Sequence, residues 1–294
     1  QRLQVRFAPG ALLFHGQGKW YPGEPLPRWA LSIYWRDDGV PVWRELKRIA
    51  ADGGKAELAD AERLCKAIAT NLGLDPHFAL TAFEDPLVLL QIEGKLPPNV
   101  DPLSAPLKDY DERSRLTQLL GRGLAKPAGY VLPLQAKASP EQPAATEWHT
   151  SRWPVRREQV YLLAGDSPIG FRLPIASLPE LLPEEAEPDF DRDPFDARSV
   201  LHDAHNAAEK ARHKRVKAAA APKPKEVVRS ALCVEPRRGC LYVFLPPVKR
   251  LEDFIDLVVA IELAAEETNT ALRIEGYAPP RDPRLRCLGV TPDP

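Results

Sequence analysis

The 294-residue chain contains 32 prolines, about twice the usual frequency. Proline has no backbone N–H and disrupts the interior of a helix, so these residues belong in loops and at the first positions of helices and strands. The chain must therefore fold into short elements joined by stiff, extended connections. Hydrophobic residues make up 44% and charged residues 28%, a composition typical of a globular protein rather than a disordered one.

Charge and hydropathy narrow the class of partner. The net charge is −1, so nothing attracts the chain as a whole to nucleic acid or to an anionic membrane. The sequence has no apolar run of the ~18 residues that a membrane-spanning helix needs. Residues 1–7 alternate like a strand and lack the design of a signal peptide. We predict a cytoplasmic protein with no nucleic-acid or membrane partner.

The cysteines indicate free thiols. They stand at positions 65, 233, 240 and 287, without a C-x-x-C pair, and the chain has only six histidines. A zinc site needs clustered thiolates or imidazoles, and a disulfide scaffold needs a shorter, cysteine-dense chain. We therefore expect reduced cysteines, as in a cytosolic protein.

Residues 1–182 are predicted to form a β-rich region with a helical insertion at about 55–122. Residues 29–36 alternate as a half-buried strand does, and residues 57–72 have the spacing of an amphipathic helix. Asp75-Pro76 and Asp85-Pro86 both resemble helix starts, so we expect a bent or broken helical pair over 76–93. A further helix is expected near 110–120.

The second half of this region returns to strands. We expect a strand at 130–134, placed at a sheet edge by Pro133, a hairpin of 152–155 with 159–163, and a strand at 169–173. Trp148, Trp153 and the neighbouring arginines could stack on single-stranded nucleic acid, but tryptophans on strands more often fill a core.

Residues 183–226 are predicted to be a charged, poorly ordered linker between domains. Positions 183–196 hold seven acidic residues against one Arg, and positions 209–225 hold seven basic residues against one Glu. Such runs are ordinarily solvated surface, although they could also attract each other or dock on a charged partner. His202 and His205 lie here, and a metal-binding or catalytic role for them is disfavoured.

Residues 227–294 have the clearest pattern and predict an α+β unit. A hairpin joins 228–235 to 240–245 around residues 236–239, a helix covers 251–267, and strands follow at 272–276 and 286–290. If Glu235 faces Cys240 across the turn, the apolar residues Leu232, Val234, Leu241 and Val243 share one face that the helix can cover.

Glu235 then lies on the other face with Cys233, Tyr242 and Phe244, where its carboxylate could hold Mg²⁺. The alternative is an exposed residue at a strand end. Glu275 ends the next strand, with several arginines near it in sequence. Carboxylates for metal and guanidinium groups for phosphate are what nucleotide chemistry requires, whereas surface charge around a proline-rich loop is the simpler interpretation.

The loop Gly16-Gln17-Gly18-Lys19 is not a Walker A motif, because G-K-[ST] ahead of a helix is missing. It could still place Lys19 and Arg28 against an anionic ligand, or be purely structural. No arrangement of residues suggests a Cys–His or Ser–His nucleophile.

Four long segments resemble a bacterial amidoligase domain that occurs fused behind transglutaminase-like domains. They are residues 14–31 (FHGQGKWYPGEPLPRWAL), 165–174 (GDSPIGFRLP), 231–247 (ALCVEPRRGCLYVFLPP) and 274–294 (IEGYAPPRDPRLRCLGVTPDP). The resemblance implies a fold similar to glutamine synthetase and glutamate–cysteine ligase, in which an antiparallel sheet holds ATP and metal on one face. The expected class is thus α+β, with antiparallel sheets, a helical insertion and a C-terminal hairpin–helix–strand unit.

The resemblance also implies a reaction: ATP activates a carboxylate as an acyl phosphate, which an amine attacks to form an amide. It favours Glu235 and Glu275 as Mg²⁺ ligands and Arg273, Arg281 and Arg284 as contacts for phosphate or a substrate carboxylate, with Lys19 and Arg28 as weaker candidates. The substrate would be a peptide or protein, and the partner an adjoining transglutaminase-like domain.

Two alternatives to a ligase remain open. One is a non-catalytic module that binds a peptide for the adjoining domain, and the other is a structural spacer that binds no ligand. Family members continue with further strands after the final TPDP. We therefore expect residues 227–294 to be the start of a truncated catalytic sheet, and the chain to be an internal fragment that is inactive alone.

Overall fold

A computed structural model of the chain describes residues 2–18, 29–49, 54–85, 126–138, 146–155, 159–165, 167–179, 198, 200–208 and 227–292. Lys19, Arg28, the helix expected near 110–120 and most of the charged linker lie outside the described residues. The second member of the helical pair expected over 76–93 also falls largely outside them.

The described strands are β1 (Leu12–Gln17), β2 (Trp29–Arg36), β3 (Leu80–Glu84), β4 (Gly129–Pro133), β5 (Gln135–Ala138), β6 (Thr146–His149), β7 (Gln159–Leu162), β8 (Ala231–Arg237), β9 (Cys240–Leu245), β10 (Leu272–Gly276) and β11 (Leu285–Val290). The α-helices with bounds inside the described residues are α1 (Arg2–Phe7), α2 (Leu58–Asn71) and α3 (Leu251–Glu267). The α+β class is confirmed, as are β2, α2, α3, β10 and β11.

Nine strands form one sheet in the order β11-β2-β1-β10-β9-β8-β4-β3-β7, and β5 pairs with β6 in a separate ribbon. Most neighbours are antiparallel, but β10 runs parallel to β1 and β9, and β3 runs parallel to β7. No pattern in the sequence predicted these parallel pairs. Because β4 pairs with β8 and β1 pairs with β10, residues on both sides of the charged linker share the sheet. The sequence had left open whether the two regions pack together.

Helices α2 and α3 cover one face of the sheet. We call this the helix-covered face. The residues of the central strands that lie on it are all fully buried: Leu232, Val234, Leu241, Val243 and Ile274. The sequence favours both helices at their starts. Glu57 and Asp60 form a reciprocal capping box on α2, and acidic residues in the first turn of α3 interact well with the helix dipole.

The β8–β9 hairpin has the predicted faces but a different register. The structure pairs Glu235 with Tyr242 and Arg237 with Cys240, so the predicted pairing of Glu235 with Cys240 is wrong. Only Arg238 and Gly239 form the turn, with φ of 49° and 75°, the positive values that a two-residue type I′ hairpin requires. Relative to the predicted register, each residue of β8 pairs with a residue two positions further along β9. A register shift of two residues keeps every side chain on its face of the sheet.

The strand expected at residues 1–7 is wrong, because residues 2–7 form α1. The backbone N–H of Ala8 donates to the carbonyl of Gln4 over 2.9 Å, and the Gln4 side chain donates to the carbonyl of Ala11. Val5 and Phe7, which carried the apparent alternation, are 58% and 62% exposed. Two-residue periodicity over so short a stretch does not specify a strand unless one face is buried.

The helical pair expected from residue 76 is wrong where it can be compared. Asp75 does cap a turn and Pro76 does begin it, but the turn ends at Phe78 and β3 follows at once. Burial decides this outcome: Leu80 and Ala82 face the interior while β3 pairs with β4 and β7 on its two sides. Tertiary pairing overrides a local start signal for a helix.

The strand expected at 130–134 is confirmed as β4, but its placement at a sheet edge is wrong. β4 lies between β3 and β8. Pro133 is the last residue of β4, and β3 begins opposite Val131, two positions earlier. The proline therefore removes no hydrogen bond between β4 and β3.

The hairpin of 152–155 with 159–163 is wrong, because residues 151–155 are not a strand and β7 pairs with β3. Trp148 and Trp153 are buried, and their indole N–H groups donate to Asp256 over 2.6 Å and to the Val228 carbonyl over 2.7 Å. These tryptophans are core residues. The strand expected at 169–173 is also wrong: residues 169–172 form a 3₁₀ turn.

Within the charged linker, residues 200–208 pack against the main body. The buried Arg36 donates to the carbonyls of Leu201 and His202, each over 2.9 Å. His205 and Glu262 of α3 are both buried and lie 2.7 Å apart, ring nitrogen to carboxylate oxygen. His205 thus has a structural contact that holds this segment on α3.

The four cysteines are free thiols, as predicted; only Cys287 is exposed. Burial raises the pKa of Cys65 to about 12 and that of Cys233 well above its usual value. Among the helices of the described residues, none is long and apolar enough to cross a membrane.

Candidate functional site

The face of the sheet opposite α2 and α3 carries a group of charged and aromatic side chains at its centre. We call Glu235 and Arg237 of β8, Tyr242 of β9, and Arg273 and Glu275 of β10 the charged cluster. Strand pairing brings them together. Tyr242 lies between Glu235 and Arg273, and Arg237 and Glu275 lie two residues further along their own strands, on opposite sides of this row. Side chains two residues apart on a strand share a face, so all five lie on the same side.

Glu235 is buried, with 6% of its surface exposed. Its Oε1 accepts a hydrogen bond from the backbone N–H of Ile169 over 3.2 Å and lies 3.4 Å from Nε of Arg237. The interpretation of Glu235 as an exposed strand end is therefore wrong. A carboxylate that is removed from water needs such donors and a cation to remain charged.

Glu275 is also buried, with 7% exposed, and accepts a short hydrogen bond from Nη2 of Arg237. Burial by itself disfavours a charged guanidinium, but the carboxylates of Glu235 and Glu275 outweigh this effect and raise the pKa of Arg237 above its ordinary value. One cation therefore serves both acids. His15 of β1 is the strand partner of Glu275 and extends this face of the sheet by one strand.

Tyr242 holds both arginines of the cluster. The Arg237 guanidinium lies over the phenol ring, 3.6 Å from the ring centroid, and Nη1 of Arg273 donates to the Tyr242 hydroxyl over 2.8 Å. Stacking and hydrogen bonding restrict two long side chains that would otherwise be flexible. One ring thus contacts both positive groups.

The segment 167–174 crosses this face and positions the site. A Cβ atom on Gly170 would lie 2.1 Å from the Phe244 ring, so only glycine lets the 3₁₀ turn approach so closely. Phe171 packs edge-on against Phe244 with ring centroids 4.7 Å apart, and Tyr277 contacts both rings. Phe171 and Tyr277 are 37% and 45% exposed, which leaves an aromatic surface beside Glu275.

Arg172, at the end of the same turn, anchors it to the sheet. Its guanidinium makes two hydrogen bonds to Glu84 of β3 and a third, over 2.8 Å, to the carbonyl of Leu163. Both charged side chains are largely buried. A bidentate pair of this kind fixes orientation, so the turn that supplies the Ile169 N–H to Glu235 is held at both ends.

The structure brings together only some of the residues expected at the site. Glu235, Glu275 and Arg273 belong to the charged cluster. Arg281 lies exposed in the loop between β10 and β11. Arg284 binds Asp282 over 2.7 Å and Glu252, at the start of α3, over 2.9 Å. Hydrogen bonding to Asp282 is the main cause that raises the pKa of Arg284.

Two carboxylates are enough protein ligands for one magnesium ion. Within the described residues, no three His, Cys, Asp or Glu side chains come together as a metal site. Mg²⁺ is commonly held by one or two carboxylates, with water and substrate phosphate completing its shell. Glu235 and Glu275 both contact one guanidinium group, Glu235 near Nε and Glu275 at Nη2, so these two carboxylates are the candidates for a shared cation. Two carboxylates are suitable donors for Mg²⁺, but Arg237 would have to move away from them before they could hold it.

Arg237, Tyr242 and His15 were missed as site residues. Arg237 was assigned to a four-residue loop at 236–239; a two-residue turn at Arg238-Gly239 would have placed it on the same face as Glu235. The positive-φ preference of the Arg-Gly pair was the available signal. His15 could not be found, because it approaches Glu275 only through the parallel pairing of β1 with β10.

The family model described as "Putative amidoligase enzyme (DUF2126)" matches residues 1–294. Neither the curated proteins nor the solved structures include a significant match to the chain.

Proposed function

The chain belongs to this amidoligase family, and from that premise we propose that it carries the nucleotide and metal region of an ATP-dependent carboxylate–amine ligase. The observation that supports this most directly is the charged cluster. Two buried carboxylates and two oriented guanidinium groups lie together on one face of the sheet. A core that only needed stability would rarely bury two carboxylates there, because desolvation offsets much of what ion pairs contribute.

The proposed reaction has two steps. The carboxylate of the substrate attacks the γ-phosphorus of ATP, which forms an acyl phosphate and releases ADP. An amine then attacks the acyl carbon, loses a proton and expels phosphate, which leaves an amide. Negative charge builds up on phosphate oxygens in the first step and on the carbonyl oxygen in the second, so fixed cations are the natural stabilisers.

The residues of the cluster suit these needs. Glu235 and Glu275 would hold Mg²⁺, which when bound offsets the charge of the phosphates. Arg273, fixed by the Tyr242 hydroxyl, would donate to a phosphate or carboxylate oxygen. The turn at 169–172 would exclude water from the Glu235 side. Arg281, Lys19 and Arg28 remain predicted contacts for an anionic ligand, whereas Arg284 is bound by Asp282 and Glu252 and is no longer expected to make such a contact.

A peptide or protein is the proposed acceptor, and an adjoining transglutaminase-like domain is the proposed partner. The exposed rings of Phe171 and Tyr277 lie next to the cluster and would accommodate an apolar side chain of a peptide. Such a peptide could then present its C-terminal carboxylate or an acidic side chain to the arginines.

Calorimetric titration with Mg·ATP tests the proposal. We expect binding by the protein, and an affinity at least about tenfold lower in Glu235→Gln and in Glu275→Gln, since each substitution removes one charged ligand while keeping the shape. Glu62→Gln is the matched control: this carboxylate lies on α2, on the other side of the sheet, and binds Lys66 and Tyr130.

If the wild type binds Mg·ATP and neither Glu235→Gln nor Glu275→Gln lowers the affinity, these two residues are not the metal ligands. Absence of Mg·ATP binding by the folded protein would favour the second candidate, a peptide-binding module. The aromatic surface of Phe171 and Tyr277 supports that candidate, which predicts peptide binding that is indifferent to nucleotide and Mg²⁺.

A further inference from the structure

Arg237 lies between the two carboxylates that are proposed to hold a metal ion. Its guanidinium contacts Oε1 of both Glu235 and Glu275, and the pairing of β8, β9 and β10 fixes the backbone of all three residues. The two acids and the two arginines of the cluster together carry no net charge. A divalent cation that entered without any movement would meet the positive charge of Arg237 at contact distance.

The contacts of Arg237 are unequal. The hydrogen bond to Glu275 is short, but Nε of Arg237 lies 3.4 Å from Glu235, and this buried N–H has no hydrogen-bond acceptor among the described residues. A buried donor without an acceptor is unfavourable by about 1–3 kcal/mol. The side chain is 30% exposed, so the guanidinium has a path toward solvent.

From these observations we propose that Arg237 is an internal counter-ion that metal and anionic ligand displace together. With the site unliganded, it neutralises Glu235 and Glu275. When a divalent cation takes the two carboxylates, the guanidinium swings out and binds the anionic group that arrives with the metal, a phosphate chain in the case of a nucleotide. Binding of metal and binding of anion are then coupled, and free metal is held weakly.

This inference rests on the proposed function for the identity of the anion, but its core is a statement about charge. Removing the guanidinium must strengthen binding of free metal, since the carboxylates lose their competitor. It must also weaken binding of metal with an anion, since the anion loses its cation. Coupling between two ligands is reciprocal and is typically 5- to 150-fold.

The test is to titrate Mn²⁺ and Mn·ATP separately into the wild type and Arg237→Gln, with bound Mn²⁺ followed by electron paramagnetic resonance. We expect Arg237→Gln to bind free Mn²⁺ about tenfold tighter than the wild type and Mn·ATP about tenfold weaker. Arg237→Lys keeps the charge and should hold free Mn²⁺ as weakly as the wild type. Arg238→Gln removes the exposed neighbouring charge and should change neither affinity.

A folded Arg237→Gln variant whose affinity for free Mn²⁺ is unchanged or lower would overturn the proposal and leave Arg237 as a structural ion pair. If the variant unfolds without metal, its melting temperature must rise more steeply with Mn²⁺ than that of the wild type; a flat response overturns the proposal equally. Adding Glu235→Gln to Arg237→Gln should abolish the gain in affinity.

This outcome is separable from that of the proposed function. Tighter binding of free Mn²⁺ by Arg237→Gln, with no Mn·ATP binding by any variant, would support the counter-ion and reject ATP as the anion. Binding of Mg·ATP by the wild type without tighter binding of free Mn²⁺ by Arg237→Gln would support ATP as the ligand and reject the counter-ion role of Arg237.

Discussion

The two faces of the central strands β8, β9 and β10 are built from alternate residues of the same sequence segments, yet they differ in kind. The helix-covered face places only apolar side chains against α2 and α3. The other face combines an apolar patch around Cys233 and Phe244 with the charged cluster. Leu241 and Tyr242 are neighbours in the chain and belong one to each face.

The difference shows how the sheet divides its tasks. Burial of apolar surface on one face supplies stability, because the free energy gained grows with the area removed from water. Buried charges on the other face contribute little net stability, and breaking one partner is far more costly than omitting both. We therefore attribute the charged face to the proposed binding of ligand rather than to a need for stability.

The largest expected effect is a difference in stability between a variant at Leu241, on the helix-covered face, and a variant at Tyr242, on the other face. Leu241→Ala leaves a cavity under α3 and should lower the free energy of unfolding by about 2–5 kcal/mol. Tyr242→Phe keeps the ring under Arg237 and removes only the hydrogen bond to Arg273, for about 0.5–1.5 kcal/mol. Urea denaturation measures both. Equal losses for the two variants would show that the faces do not divide their tasks in this way.

A second pair of variants sharpens the assignment of the arginines. Arg284→Gln removes charged hydrogen bonds to Asp282 and Glu252 and should lower stability by about 1.5–3 kcal/mol, with little change in affinity for Mg·ATP. Arg273→Gln should lower the affinity for Mg·ATP and change stability little, because the Arg273 guanidinium lies in the charged cluster. Calorimetry and denaturation on both proteins test this. Loss of affinity in Arg284→Gln would return that residue to the ligand site.

The smallest effect concerns alkaline pH on the helix-covered face. Burial, together with the hydrogen bond to Glu62, raises the pKa of Tyr130 to about 12. The unfolded chain loses this proton near pH 10, so the contribution of Tyr130 is complete below pH ~10 and is lost as pH rises toward about 12. Tyr130→Phe should flatten this decline in unfolding experiments between pH 9 and 12. If the free energy of unfolding of Tyr130→Phe falls with pH as steeply as that of the wild type, groups other than Tyr130 cause the decline.

Local patterns predicted much of the fold. The helix at 251–267 and the strand at 272–276 have the expected bounds, since 17 residues with an apolar stripe and a short alternating run admit few alternatives. Glu235 was assigned to the right face even though its partner was wrong. Failures came where a local signal was weak or short, as in the alternation of residues 1–7 and the helix start at Asp75-Pro76.

Sequence alone determined which side chains share a face of each strand, because the period of a strand is fixed by its covalent geometry and survives a register shift of two. It could not determine which strands lie side by side. His15 meets Glu275, Ile169 donates to Glu235 and Arg237 bridges two acids only through pairings and a 3₁₀ turn set by distant segments. Tertiary structure decided these contacts, since their free energy comes from burial against residues far away in the chain.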